Sequence, residues 1–385
     1  MVRHRVRLGI PDKIEEFAMP KPLEYVSRIK PYVPGKPIKE LERELGITEC
    51  IKLASNENPS GPSPKAVAAL KKCLDNAGEL CRYPDGNGYY LKAALSKKLS
   101  AGGRKVAPDE IMLGNGSNEL LDIAIRTFVG AGDEAIMAAP SFVVYSMGVQ
   151  SSGGVAIETP LRDYAHDLSA MADAITAKTR MVFIANPNNP TGTINRKAEF
   201  EAFMKRVPEG VLVVMDEAYF EYVRDAEYVD SISYFARGRD ILILRTFSKA
   251  YGLASLRIGY GIARREILDE MNKIREPFNT NALAQEAALA ALEDEEHLKR
   301  SIDINEEGKH YLSRELDSLG IKYVPTEANF IYMLLGRDSR ELFESLLRKG
   351  VIVRPVGPEQ IRVTVGLPGE NRRYVEALKE SLRIC

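Results

Sequence analysis

Histidine is scarce in this 385-residue sequence. The four present, His4, His166, His297 and His310, are scattered and show no metal-ligand spacing. No metal site is expected, and a Ser-His-Asp hydrolase finds no support. Cysteine is equally sparse, at Cys50, Cys73, Cys81 and Cys385, with no CxxC pair among them. An export signal is missing too, because the basic start runs into Leu8-Gly9-Ile10-Pro11-Asp12 rather than an apolar segment. The thiols therefore read as reduced cysteines of a cytoplasmic protein. No apolar run approaches the ~20 residues that cross a bilayer, so no membrane association is expected. Nor is there charge of one sign. Lys and Arg number 53 against 54 Asp and Glu, interspersed, for a net charge of −1. Without a basic stripe to neutralise phosphates, nucleic acid is not an expected partner. The single basic cluster, Arg3-His4-Arg5-Val6-Arg7, is short and terminal and reads as a solvated arm.

What the chain does have is length and a repeating rhythm. Its 385 residues suffice for two domains with their own cores, or for a large domain and a smaller partner. Short apolar, β-branched runs at 110–113, 134–138, 155–159, 181–185, 211–215, 241–244 and 259–262 alternate with amphipathic stretches such as 119–129 and 196–206. Runs apolar on both faces are what strands buried in a mainly parallel sheet look like. The alternation predicts an α/β fold: a seven-stranded, mainly parallel sheet with helices on both faces, spanning residues 51–280. Residues 281–385 change texture. Helical stretches at 281–293 and 295–319 lead to a strand at 329–335, a helix at 339–349, strands at 351–354 and 361–365, and a last helix from 370 to 382. This reads as a smaller α+β domain. Residues 1–50, Pro-rich around Pro31, Pro34 and Pro37, read as an arm and connector.

In an open α/β sheet, ligands sit beyond the carboxyl ends of the strands, and four short motifs fall there. Lys249, in Leu244-Arg245-Thr246-Phe247-Ser248-Lys249-Ala250, lies just past a core strand. A Ser-Lys pair alone says nothing, since Ser96-Lys97 occurs in an ordinary helix face; position sets Lys249 apart. Five apolar residues, 211–215, run straight into Asp216, and a carboxylate buried at a strand end needs a partner. A protonated pyridine nitrogen is one such partner. Asp133-Glu134-Ala135 repeats the tripeptide Asp216-Glu217-Ala218, but it precedes its strand and faces the wrong end of the sheet. Asn186-Pro187-Asn188-Asn189-Pro190-Thr191-Gly192 is a turn sequence that can also offer Asn189 to a ring oxygen. Leu113-Gly114-Asn115-Gly116-Ser117-Asn118 turns from strand into helix, where free N–H groups and the positive dipole end suit an anion. Ser117 or Asn118 also serves as an N-cap, which is compatible with phosphate binding.

Together these motifs resemble the fold-type-I aminotransferases, which depend on pyridoxal 5'-phosphate. The likeness is carried by Asn189-Pro190-Thr191-Gly192, Asp216-Glu217-Ala218-Tyr219 and Ser248-Lys249-Ala250-Tyr251-Gly252-Leu253, ending at Arg257. It is closest to the histidinol-phosphate aminotransferase branch, through Tyr32-Val33-Pro34-Gly35, Leu53-Ala54-Ser55-Asn56-Glu57-Asn58-Pro59, Arg82-Tyr83-Pro84-Asp85 and Ile361-Arg362-Val363-Thr364-Val365-Gly366. The resemblance spans about residue 25 to the C-terminus. It implies that Lys249 holds the cofactor as a Schiff base and shuttles the proton. It pairs Asp216 with the ring nitrogen, sets Asn189 and Tyr219 on the ring oxygen, and stacks Phe142 on the ring. Ser117, Asn118, Thr246, Ser248 and Arg257 surround the phosphate, and Tyr83 reaches the cofactor of a second subunit in a homodimer with shared active sites.

Substrate choice turns on Arg354 and Arg362. Guanidinium groups bind carboxylate or phosphate in bidentate fashion, yet on their own these two read equally well as surface strand arginines in salt bridges. The resemblance makes them the pair that grips histidinol phosphate and glutamate, with Tyr32 and Asn329 in the substrate pocket. The implied reaction exchanges an amino group between histidinol phosphate and 2-oxoglutarate. Related scaffolds transaminate aromatic amino acids or decarboxylate phosphothreonine, and a non-catalytic regulatory domain is a more distant reading.

Overall fold

The computed structural model describes residues 20–32, 34–76, 78, 80–100 and 105–384. The basic cluster at 3–7 and Cys385 lie outside the described residues. Fourteen strands are named here in chain order. In the N-terminal and central parts they are β1 (Ile51–Lys52), β2 (Ile111–Gly114), β3 (Glu134–Ala139), β4 (Val155–Arg162), β5 (Ala165–His166), β6 (Thr179–Ala185), β7 (Leu212–Asp216), β8 (Ile241–Thr246) and β9 (Gly259–Ile262). Then come β10 (Lys322–Val324), β11 (Phe330–Leu334), β12 (Val351–Ile352), β13 (Arg354–Gly357) and β14 (Gln360–Thr364).

The large sheet runs β2-β9-β8-β7-β6-β3-β4-β5. From β4 across to β8 every pairing is parallel, while β9 runs antiparallel to both β8 and β2. All seven expected strands are present, and the two-residue β5 adds a short antiparallel edge on β4. The central strands are buried on both faces because helices cover both. Val213, Met215, Ile241 and Ile243 lie in one core. Their neighbours Leu212, Val214, Leu242 and Leu244 lie in the other, which is the period-two alternation of a strand. Each such side chain contributes roughly 1.5–3 kcal/mol by leaving water. The helix expected at 119–129 begins two residues earlier, at Ser117–Phe128, because Gly116 takes the turn with φ +77°.

The C-terminal unit has an antiparallel sheet in the order β10-β11-β14-β13. The strand expected at 351–354 is split. Val351 and Ile352 pair with Ile51 and Lys52, whereas Arg354 starts a new strand against β14. Pro355, with no N–H to donate, sits at the register shift in β13. Residues 51–52 thus hydrogen-bond to the C-terminal unit, and Leu53 packs in its core. In the other direction, the helix Ala282–Leu292 buries Ala284, Ala287, Ala288 and Ala291 in a core of the large unit. Its small side chains let it lie close to the helices Pro64–Asp75 and Tyr89–Leu99. These two helices, β1, β5 and the three-residue β10 are among the additions to the elements the sequence suggests. Among the described residues, no helix is long and apolar enough to cross a membrane.

Candidate active site

The carboxyl ends of β6, β7 and β8 open onto a cleft of about 240 Å³. Each strand delivers one polar feature: β6 the loop with Asn189, β7 its last residue Asp216, and β8 the turn from Thr246 to Lys249. The far wall comes from the C-terminal unit, through Arg354 and Arg362, and from Tyr32 of the N-terminal segment.

Lys249 is half-buried at the cleft, and its Nζ donates to the backbone oxygen of Ser55 at 3.1 Å. Burial, helped by the positive charges of Arg362 and Arg257, pulls its amine down to about 8, with Glu57 and Asp216 opposing. A lysine at ~10.4 would be almost wholly protonated at neutral pH; this one has an appreciable neutral fraction, the form that attacks a carbonyl. Asp216 shows the complementary pattern. Burial raises its carboxyl pKa, against a hydrogen bond from the Tyr145 hydroxyl at 2.7 Å and one from the Ala218 N–H at 3.2 Å. A carboxylate held this way at the cleft floor is matched by a cationic ring nitrogen.

An anion cradle lies at the N-terminus of the helix Ser117–Phe128. Arg257, in the left-handed region at φ +55°, turns its guanidinium under Gly116 and donates to Ser248 Oγ at 3.3 Å and Ala254 O at 3.1 Å. Two glycines keep this corner open. A Cβ on Gly116 would stand 2.5 Å from Arg257 Nη2, and one on Gly259 would stand 2.5 Å from the Ser117 nitrogen. Thr246 Oγ1 accepts the Ser248 N–H at 3.1 Å, which fixes the turn between them. Ser117, Asn118, Thr246, Ser248 and Arg257 all line the cleft, as expected of a phosphate site.

The ring space lies between this cradle and the C-terminal unit. Phe142 meets Tyr145 edge to face at 5.6 Å, and Tyr145 stacks on Phe183 at 4.8 Å, so the wall is rigid. Asn189 Oδ1 accepts from Arg362, which leaves its amide N–H groups as what Asn189 can offer an oxygen in the cleft. Arg362 Nη2 also donates to Ala54 O at 2.7 Å, while its buried Nε has no partner in the protein. An orphaned donor on a buried guanidinium suits an anionic ligand. Arg354 sits with its guanidinium carbon 5.6 Å from the Tyr32 ring centroid. These donors, the open cradle and the depressed amine fit pyridoxal phosphate, part for part.

Two expected residues lie elsewhere. Asn329 is buried behind the cleft wall and donates to Asn56 O at 3.0 Å. Tyr83 is 81% exposed, stacked on Phe278 at 4.6 Å and away from the cleft of its own chain. Conversely, Ser55, Asn56 and Tyr145 line the cleft without having been assigned roles. The signal for the first two was the polar run Ser55-Asn56-Glu57-Asn58 directly after apolar residues. Tyr145 gave none, since its partner Asp216 is 71 residues away.

Comparison with known proteins agrees with this geometry. Residues 48–378 match the family model of the class I and II aminotransferases. The chain is 52% identical to the histidinol-phosphate aminotransferase of Moorella thermoacetica over 94% of each chain. It is 47% identical to histidinol-phosphate aminotransferase 2 of Hydrogenovibrio crunogenus, over 94% of this chain and 96% of the other. Among solved structures, the histidinol-phosphate aminotransferase of Sinorhizobium meliloti in complex with pyridoxal-5'-phosphate superposes with a TM-score of 0.86 at 28% identity, covering 95% of this chain and 99% of that one. The chain belongs to the class I and II aminotransferases, and within them to the histidinol-phosphate aminotransferase family.

Proposed function

We propose that this protein exchanges an amino group between histidinol phosphate and 2-oxoglutarate, with glutamate as donor in the biosynthetic direction. The observation that carries the reading is that Arg354 and Arg362 line the same cleft as Lys249. Two guanidinium groups can grip the phosphate of one substrate and the carboxylate of the other by the same bidentate geometry.

When bound, pyridoxal phosphate supplies the electron sink that makes the hydrogen on the amine-bearing carbon acidic. The residues of the chain do the rest. Asp216 holds its negative charge against the ring nitrogen, and Asn189 and Tyr219 direct donors at the ring oxygen. Phe142 covers the ring face, while Ser117, Asn118, Thr246, Ser248 and Arg257 anchor the phosphate. Lys249 Nζ, neutral in part because burial and neighbouring cations disfavour its charge, takes the proton from the substrate carbon and returns it on the other side of the reaction.

The same reading makes the active unit a homodimer. Tyr83 and Phe278, stacked on each other, and the neighbouring pair Tyr89 and Tyr90 are large exposed aromatic side chains of the large unit, and exposed aromatic surface of this kind favours burial against a second copy. Tyr83 would then reach the neighbouring cleft. A cytoplasmic site of action is supported by the free thiols of Cys50, Cys73 and Cys81.

Steady-state kinetics with histidinol phosphate, phenylalanine and phosphothreonine test the substrate. A clear advantage in kcat/KM for histidinol phosphate is expected. Equal or better turnover of phenylalanine would make the protein an aromatic aminotransferase, and carbon dioxide release from phosphothreonine would make it a decarboxylase.

A further inference from the structure

The hydroxyl of Tyr219 is held by a residue that the reaction as described does not use. Asn56 Nδ2 donates to Tyr219 Oη at 2.8 Å. Asn56 is buried, and its backbone stands at φ +55°, a region asparagine tolerates better than most residues. An amide can face a hydroxyl with either its nitrogen or its oxygen, and the two choices have opposite consequences. Thr364, the last residue of β14, makes the choice. Its Oγ1 accepts the Asn56 backbone N–H at 2.9 Å, and its own proton goes to Asn56 Oδ1 at 3.1 Å. With Oδ1 turned to Thr364, Nδ2 faces Tyr219. The Tyr219 oxygen therefore receives a hydrogen bond on its protein side, and its proton is left to point into the cleft.

The turn that carries Asn56 is pinned on both sides by the C-terminal unit. Asn329 Nδ2 donates to the Asn56 carbonyl at 3.0 Å, and Arg362 Nη2 to the Ala54 carbonyl at 2.7 Å. Between these two carbonyls, Ser55 O accepts from Lys249 Nζ. One short segment thus touches the lysine, the tyrosine and the arginine of β14 at once.

We infer that Asn56, oriented by Thr364, is a positioning residue that fixes Tyr219 as hydrogen-bond donor to the oxygen on the cofactor ring. The inference rests on the proposal that Tyr219 faces that oxygen. Its consequence is electrostatic. A donor on the ring oxygen spreads that oxygen's negative charge, and less negative charge there weakens the hold on a proton at the adjacent Lys249 Nζ. Because Thr364 shares β14 with Arg362, the strand that grips substrate also sets the polarity of the chain Thr364–Asn56–Tyr219. The protonation of Lys249 is thereby tied to the placement of the C-terminal unit.

The test is a pH titration of the visible absorbance of the cofactor-loaded protein, which reports the proton at Lys249 Nζ. Asn56→Asp replaces the donor by an acceptor and draws the Tyr219 proton away from the cleft. The titration midpoint should rise by roughly 1–2 pH units, the size of one hydrogen bond to a charged group. A new carboxylate also acts through its charge alone, so the same substitution is made in a Tyr219→Phe background, where at least half of the rise should vanish. An equal rise in both backgrounds overturns the role of Asn56. A Tyr219→Phe single variant with an unmoved midpoint instead overturns the placement of Tyr219 on which the inference rests. Should Asn56→Asp not take up cofactor, Thr364→Val and Thr364→Ser carry the test: Val should raise the midpoint and Ser preserve it, and identical midpoints overturn the inference.

Discussion

Tyr145 donates its phenolic proton to Oδ2 of Asp216 across 2.7 Å, with both groups inside the protein. The bond opposes the burial that would otherwise push the Asp216 carboxyl toward its neutral form. Removing the donor should therefore leave a carboxylate less able to face a cationic ring. Tyr145→Phe keeps the stack on Phe183 and the edge contact with Phe142 but loses the hydroxyl. A charged hydrogen bond is worth about 1.5–3 kcal/mol, so the dissociation constant for pyridoxal phosphate should rise about tenfold or more. Equilibrium dialysis reads it; an unchanged constant would mean that Ala218 alone suffices.

The pKa of Lys249 gives a pH dependence with a definite sign. Its amine is pulled down to about 8, so the charged form dominates below that value and the reactive neutral form above it. In cofactor-free protein, the rate of pyridoxal phosphate attachment should climb from pH 6 and level off above pH 9, with its midpoint near 8. Stopped-flow absorbance measures the rate. A profile still climbing steeply through pH 10 would show that the lysine is not shifted.

Lys249→Ala removes both the attachment point and the proton carrier. General base catalysis contributes on the order of 100- to 10,000-fold, and amino transfer should fall at least that far. Asp216, Arg257 and the Gly116 turn remain, so the cofactor should still be retained without a covalent link. After borohydride treatment, denaturing gel filtration should strip the cofactor from the variant, whereas treated wild type keeps it on the chain; cofactor that stayed with the treated variant would show attachment through another residue.

Much of this site is legible in the sequence because a parallel sheet places its ligand residues directly after its strands. Asp216 ends a run buried on both faces, and Asn189 and Lys249 follow runs of the same kind. The turn at Gly114–Ser117 is equally local. What sequence does not disclose is pairing across distance. Measured from Asn56, Tyr219 lies 163 residues away and Thr364 lies 308 residues away. Nothing in the period of either segment marks the other. The split of residues 351–357 between two strands has the same origin: the break at Arg354 arises from which partner each half meets, β1 for Val351 and Ile352 and β14 for Arg354 onward.

Gly116→Ala tests the phosphate cradle. The new Cβ would stand 2.5 Å from Arg257 Nη2, and φ +77° strains any residue other than glycine. Arg257 must swing away, taking its guanidinium from the cradle. Cofactor affinity should drop by about tenfold or more, with little change in the cofactor-free protein beyond a small loss of stability. Pyridoxal, which lacks the phosphate, should bind both forms alike. If pyridoxal and pyridoxal phosphate lost affinity equally, the anion site would lie elsewhere.

Arg362→Lys separates the two tasks of that side chain. Lysine keeps the charge but loses the fork that reaches both Asn189 Oδ1 and Ala54 O. Substrate binding should suffer most, with KM for histidinol phosphate and for glutamate each rising at least about tenfold, the scale of one charged hydrogen bond. Arg354→Lys should raise KM too, by less, since Arg354 is only partly buried and lies against the Tyr32 ring. Histidinol phosphate presents only a phosphate and phenylalanine only a carboxylate, so if the pair grips both anions by the same fork, KM for phenylalanine should rise along with KM for histidinol phosphate. Measuring KM and kcat for all three substrates in both variants decides it. A uniform fall in kcat with unchanged KM would instead assign Arg362 to holding Asn189 in place, and would leave the recognition of the substrate phosphate to Arg354.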